Sequence, residues 1–155
     1  MGSFLNCPKL KELSPIAGSK SDAFEVEVLK LATGQATGIY TTTPIVPFLA
    51  LFTGTLSGDT PGTECTGGGY ARIVTTGKWG APTSGAGTVS NSGAITFAQF
   101  TGSVSAGAAV THFGLATDVS AGSFLYYGDL TDPSKVFGNL DSANFPTGSI
   151  ILTEG

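Results

Sequence analysis

The stretch Thr63–Thr75, TECTGGGYARIVT, runs three consecutive glycines into an aromatic residue, an arginine and β-branched residues. Glycines so placed can cradle a phosphate or can serve the backbone alone. A phosphate loop needs Gly-x-x-x-x-Gly-Lys-Ser/Thr between a strand and a helix, so that backbone amides and a helix N-terminus meet the anion. Here no lysine follows the glycines, and a β-branched run takes the place of the helix. The dinucleotide fingerprint fails for the same reason. The reading that remains is a structural turn: Gly67, Gly68 and Gly69, at least one of them at positive φ, turn the chain sharply into a strand. Tyr70 then packs against backbone, and Arg72 lies on the face opposite Ile73.

The other reactive residue types are few. His112 is the only histidine, and no Gly-x-Ser-x-Gly elbow accompanies it. Cys65 and His112 form a nucleophilic pair only in principle; a histidine on a Thr-rich strand reads as structural. Asp129 and Asp132 in GDLTDPSK suggest calcium, but DLTDP reads better as a turn with Asp132 before Pro133, and the EF-hand spacing is absent. Cys7 and Cys65, with one histidine, are too few for a zinc site. They are free thiols of a reducing cytoplasm, or a disulfide tying the N-terminal segment to the domain or to a neighbouring subunit. Trp79, Tyr126 and Tyr127 offer faces on which a sugar ring could stack. Strand alternation puts the two tyrosines on opposite faces, and core or interface packing competes for all three. No catalytic, cofactor-binding or metal-binding residue is assigned.

The elements that position these residues are short. Residues 1–21 read as an extended N-terminal arm: Pro8, Pro15 and Gly18 interrupt any periodicity, and Phe4, Leu5, Leu10, Leu13 and Ile16 have no pattern that would bury them on the parent domain. They form a candidate interface arm, ordered by a partner. From Asp22, AFEVEVLKLAT fits a helix through Phe24, Val28 and Leu31 and a strand through Phe24, Val26 and Val28; the helix is preferred. Ile45–Phe52 is a continuous apolar run of strand length, with Pro47 marking a strand start or an edge. YARIVTTGKW, AITFAQF, AAVTHFGLATD, GSFLYYGDL, KVFGNL and GSIILTEG supply the remaining strands, with TDVSAG a turn joining AAVTHFGLATD to GSFLYYGDL. The expected core is Ile45, Leu49, Leu51, Ile73, Ile95, Phe97, Phe113, Leu115, Leu125 and Ile151. The fold class is all-β: an antiparallel β-sandwich, jelly-roll or Ig-like, of seven or eight strands in two packed sheets over residues 22–155.

Composition agrees. Glycine makes up 23 of 155 residues, charged residues only 12% and aromatics 10%, which is a turn-rich β composition and not a disordered one. The net charge is −4 and seven basic residues are scattered, so nucleic acid has no electrostatic footprint. No apolar run has the length of a membrane span, and MGSFLNCPKL lacks the layout of a secretory signal. The same N-terminus imitates a myristoylation start, but Asn6 stands where Ser or Thr is required.

Four segments in order resemble a family of small tailed-bacteriophage virion structural proteins of tail-fibre-like type. PFLALFTGTLSGDTPGTECTGGGYARIVTT is similar to that family's YVALFT…GTEVSGGGYAR segment, and SNSGAITFAQF to SNTAAITFP. VTHFGLATDVSAGSFLYYGDLTDPSKV resembles VTHVGLFDAASGGNLLFYGALTTPKTV, and FPTGSIILTEG resembles a closing IPAGDLTITL strand. The resemblance spans roughly residues 22–155 and implies a short helix before the first strand. Cys65 replaces a small or β-branched residue, and the tryptophan that often precedes the VTH strand is missing. The family carries no catalytic residues to transfer. The resemblance implies a non-enzymatic virion component, made in the host bacterial cytoplasm: an oligomeric accessory module on the particle surface, in a tail fibre, collar or baseplate. Alternatives are a decoration or cement protein bridging major capsid subunits and a host-carbohydrate-binding module. Its partners are other virion proteins and further copies of itself, with neither nucleic acid nor membrane.

Overall fold

The computed structural model describes residues 22–36, 45–54, 62–130 and 135–154; the expected arm, residues 1–21, with Cys7 and its five large apolar residues, lies outside them. The first element is helix α1, Asp22–Ala32. Its C-terminal stop decides for helix over strand. Gly34 takes φ 71°, its N–H bonds the Leu31 carbonyl at 3.2 Å, and the Gln35 N–H bonds the Lys30 carbonyl at 2.8 Å, which is a complete Schellman motif. Leu29 and Ala32 are buried, and buried Glu27 is ion-paired to Lys30 one turn on at 2.8 Å.

Nine strands follow among the described residues: β1 Phe48–Thr53, β2 Thr63–Glu64, β3 Ile73–Val74, β4 Thr88–Ser90, β5 Ile95–Thr96, β6 Val110–Ala116, β7 Phe124–Asp129, β8 Asn144–Phe145 and β9 Ile151–Thr153. Every pairing is antiparallel. The fold is thus mostly strands in antiparallel sheets with one short helix. The strands form one five-stranded sheet, ordered β2-β1-β6-β7 with β3 also on β1, and two ribbons, β4–β9 and β5–β8. β1 starts directly after Pro47, where a missing N–H costs least. Leu49, Ala50, Leu51 and Phe52 are all buried, so the apolar run is a central strand covered on both faces.

Two expected strands are cut to two residues each, and a third does not form. Of YARIVTTGKW only Ile73–Val74 pairs as a strand; Trp79 makes an isolated bridge to Asn91. AITFAQF is reduced to Ile95–Thr96. KVFGNL is not a strand: Lys135 bridges Val110, and a turn follows in which the Gly138 N–H bonds Asp141 Oδ2 at 2.7 Å and Leu140 sits at φ 70°. β-branched and aromatic residues only fit a pleated surface; a neighbouring strand must be present for pairing.

Leu49, Leu51, Ile95, Phe97 and Leu115 are buried in one apolar cluster, with Ile73 and Phe113 packed against it; Ile45 is half-buried. Two expected core residues face out: Leu125 is 37% exposed and Ile151 62%. Each lies in a run apolar at consecutive positions, where alternation does not choose the face. In β9 the choice falls to the cross-strand pair Val89–Leu152 and to Asn91, fully buried. Asn91 Oδ1 accepts the Ile150 N–H at 2.9 Å, and Nδ2 donates to the Pro146 carbonyl at 2.8 Å. Ile150 and Leu152 therefore point inward. In β7, Tyr126 takes the inward position in place of Leu125.

Candidate functional site

β6 runs along the whole of one edge of β1, so β2 and β3 share the other. β2 pairs at Phe52–Thr53 and β3 at Phe48–Leu49, leaving a gap on the edge between them. The glycine run lies in the chain that spans this gap. Gly67, Gly68 and Gly69 have φ 71°, 59° and 74°, and the Tyr70 N–H closes the turn on the Gly67 carbonyl at 2.9 Å. A Cβ at Gly68 would lie 2.5 Å from the Gly102 carbonyl oxygen. The Gly68 carbonyl accepts the Thr101 N–H at 2.8 Å, and the Thr66 carbonyl accepts the Ser105 N–H at 2.7 Å.

The turn brings Tyr70 back to β1. Its hydroxyl accepts the Leu51 N–H at 3.0 Å and donates to Glu64 Oε1 at 3.1 Å. A side chain thus completes the ladder where neither β2 nor β3 reaches. Burial, more than any other cause, pushes the Tyr70 phenol well above its ordinary value, and the Glu64 carboxylate adds to the shift. Two residues on, Arg72 forms a two-point pair with Glu64, Nε to Oε1 and Nη2 to Oε2, both 2.7 Å. Its Nη1 donates to the carbonyls of Asp118 at 2.7 Å and Ala121 at 2.6 Å, in the β6–β7 turn. The guanidinium lies 5.1 Å from the centre of the Phe124 ring, which meets Phe52 edge-on at 5.0 Å. Asp118 shapes that turn by accepting the N–H groups of Ser120 and Ala121, which hold its carboxyl below the ordinary value. Glu64, Tyr70 and Arg72 therefore form a clamp joining β1, β2 and the β6–β7 hairpin. Glu64 escaped the sequence reading. Its signal was an acidic residue eight positions before an arginine, across a turn that folds the chain back.

The other candidates are placed as follows. Cys65 is buried beside Ser105, and burial pushes its thiol up, away from the activated range. His112 is buried, with Nε2 2.8 Å from Asp129 Oδ1 and Nδ1 2.7 Å from Thr111 Oγ1. Trp79 is buried, its indole N–H donating to Thr75 Oγ1 at 3.1 Å, so it presents no face to a sugar. Tyr126 is half-buried with its hydroxyl on Glu154, and Tyr127 faces out from the same strand. Asp132 lies outside the described residues. Among the described residues no cluster of His, Cys, Asp and Glu could hold a metal ion, and no helix is long and apolar enough to cross a membrane.

The open space lies at the far side of the sheet. A cavity of about 540 Å³ is lined by Leu51, Val110, Phe113, Phe137, Phe145 and Ile150, among others. A shallower groove of about 390 Å³ adjoins it, between β7 (Tyr126, Tyr127) and β9 (Ile151, Leu152), and shares Phe113 and Asp129 with it.

A protein-family model described as podophage GP4 fiber I protein gp80 matches residues 19–153. The chain belongs to this phage fibre family. No curated protein matches it.

Proposed function

We propose that the chain is a non-enzymatic, oligomeric module on the surface of a tailed-phage particle, in a tail fibre, collar or baseplate. The observation that carries this reading is the family match over residues 19–153, whose description is that of a fibre protein. The site geometry supports it. The residues that resemble a ligand cradle are used internally: Gly68 lies against the carbonyl oxygens of Gly102 and Ser103, which would repel an anion, and Arg72 donates to Glu64, Asp118 and Ala121. The three glycines serve the backbone in this reading and bind no phosphate. The sheet and ribbons pack as a β-sandwich over residues 22–155, and residues 1–21 are an arm that anchors the module to a neighbouring subunit.

Two measurements test this. Mass-spectrometric counting gives tens of copies per virion or fewer; hundreds would place the protein on the capsid as a decoration. Phage carrying a deletion of residues 2–21 lack the protein in purified particles; full occupancy by the truncated chain would show that the arm is not the anchor.

A further inference from the structure

β7 ends the five-stranded sheet: among the described strands it pairs with β6 alone. An open edge is a template for another strand, and proteins commonly blunt one with proline or lysine. β7, Phe124–Asp129, contains neither. Its residues alternate half-buried and exposed, with Leu125, Tyr127 and Asp129 outward, and the groove beside it has Ile151 on its opposite wall, 62% exposed. The edge is therefore long, apolar and faintly acidic.

We propose that this edge and groove take up, as an added strand, the N-terminal segment (residues 1–21) of a second copy of this chain. The proposal rests on the reading of that segment as an assembly arm and names where it docks.

Three observations select this occupant. The first is charge. The segment holds three of the seven basic residues of the chain, Lys9, Lys11 and Lys20, and one of its eleven acidic ones, Glu12. The groove meets it with Asp129, whose side chain is 78% exposed, and Glu154 is held at the groove by Tyr126. The second is form. Residues 1–7 and 9–14 are proline-free and long enough to pair along the six residues of β7, and they carry Phe4, Leu5, Leu10 and Leu13 for the apolar wall. The third is position. α1 begins at Asp22, and in its first turn Glu25 Oε2 and the Glu154 carbonyl crowd the same glycine; a Cβ on Gly87 would lie 2.7 Å and 2.3 Å from them. Since Tyr126 bonds Glu154, the segment leaves the body beside the groove. Extended, it reaches roughly 70 Å, while a six-residue edge needs about 20 Å. That length spans to a neighbour, and exchange around a closed ring covers the edge of every copy.

The test uses native Cys7 as the probe in the full-length chain. Leu125→Cys, Tyr127→Cys and Ile151→Cys, each at an exposed position, are made singly with buried Cys65 left in place. Under mild oxidation at least one variant gives covalent dimers or larger species on a non-reducing gel that the unsubstituted chain does not give, and adding Cys7→Ser removes them. Crosslinked species that survive Cys7→Ser mean that two β7 edges pair directly. A Cys7-dependent crosslink confined to monomers means that each arm fills its own groove. No crosslink at any of the three positions means that the arm docks elsewhere. Each of these three overturns the proposal. Loss of the arm-deleted chain from particles without any crosslink would sink the dock and leave the assembly reading standing; crosslinks together with full packaging of the deleted chain would do the reverse.

Discussion

The two edges flanking the β1–β6 core of the main sheet are finished in opposite ways. On the β1 side, two short strands leave a gap, and the chain spends three left-handed glycines and the Glu64–Tyr70–Arg72 clamp on closing it. On the β7 side, six residues end the sheet among the described strands, with Leu125 and Tyr127 outward and a groove alongside. The difference teaches that motif density in this sequence marks internal closure. The proposed docking surface lies where the sequence is plain.

The largest test of the closed side is Gly68→Ala. It places a Cβ 2.5 Å from the Gly102 carbonyl at a φ of 59°, so equilibrium denaturation should show a loss of about 3 kcal/mol or more. A loss under about 1 kcal/mol would mean that the turn relaxes freely and closes nothing. Arg72→Ala strips Glu64 and two turn carbonyls of their donors; because Glu64 keeps some solvent access, a loss of about 2 kcal/mol is expected, with a more mobile β6–β7 turn by NMR.

Alkaline pH sharpens the contrast further. Burial raises the phenols of both Tyr70 and Tyr126 in the folded protein above the ordinary value of 10.0. The unfolded chain therefore loses these protons first. Stability is fully present below about pH 10 and declines above it, as the folded state resists ionisation. A pH series of urea melts should show this fall, and Tyr70→Phe should flatten it. That variant also leaves the Leu51 N–H without its acceptor, costing about 1–3 kcal/mol at neutral pH. On the open side, Leu125→Lys should change stability by less than about 0.5 kcal/mol while weakening self-association in light scattering. The smallest effect is expected at Ala106, exposed at φ 52° in the loop facing the glycine turn. Ala106→Gly should stabilise by a few tenths of a kcal/mol, the relieved backbone strain being partly offset by unfolded-chain entropy.

The fold was legible where one residue type forces one geometry. Pro47 read as a strand start or an edge position, and pairing on both sides of β1 leaves the start; the four-residue buried stretch after it was readable from its unbroken apolar character. Gly34 set the helix stop. Legibility ended where partners decide. FLYY and SIIL are apolar on both faces, and only the pairing of β9 with β4 and the capture of Ile150 by Asn91 reveal which residues go inward. KVFGNL has strand composition, yet beyond Lys135 it has no strand to pair with among the described residues. The clamp was half legible: the glycines announced a turn, but Glu64 became visible only once that turn placed it beside Arg72.

The most direct measurement is amide hydrogen exchange on the free protein and on the protein assembled in the particle, read residue by residue at both edges. A closed β1 edge and a docking β7 edge predict that the amides of Leu51, Cys65 and Tyr70 are protected equally in both states, while the amides of Phe124–Asp129 that point away from β6 gain protection at least tenfold on assembly. Unchanged exchange along β7, or a gain confined to the glycine turn, would contradict the account.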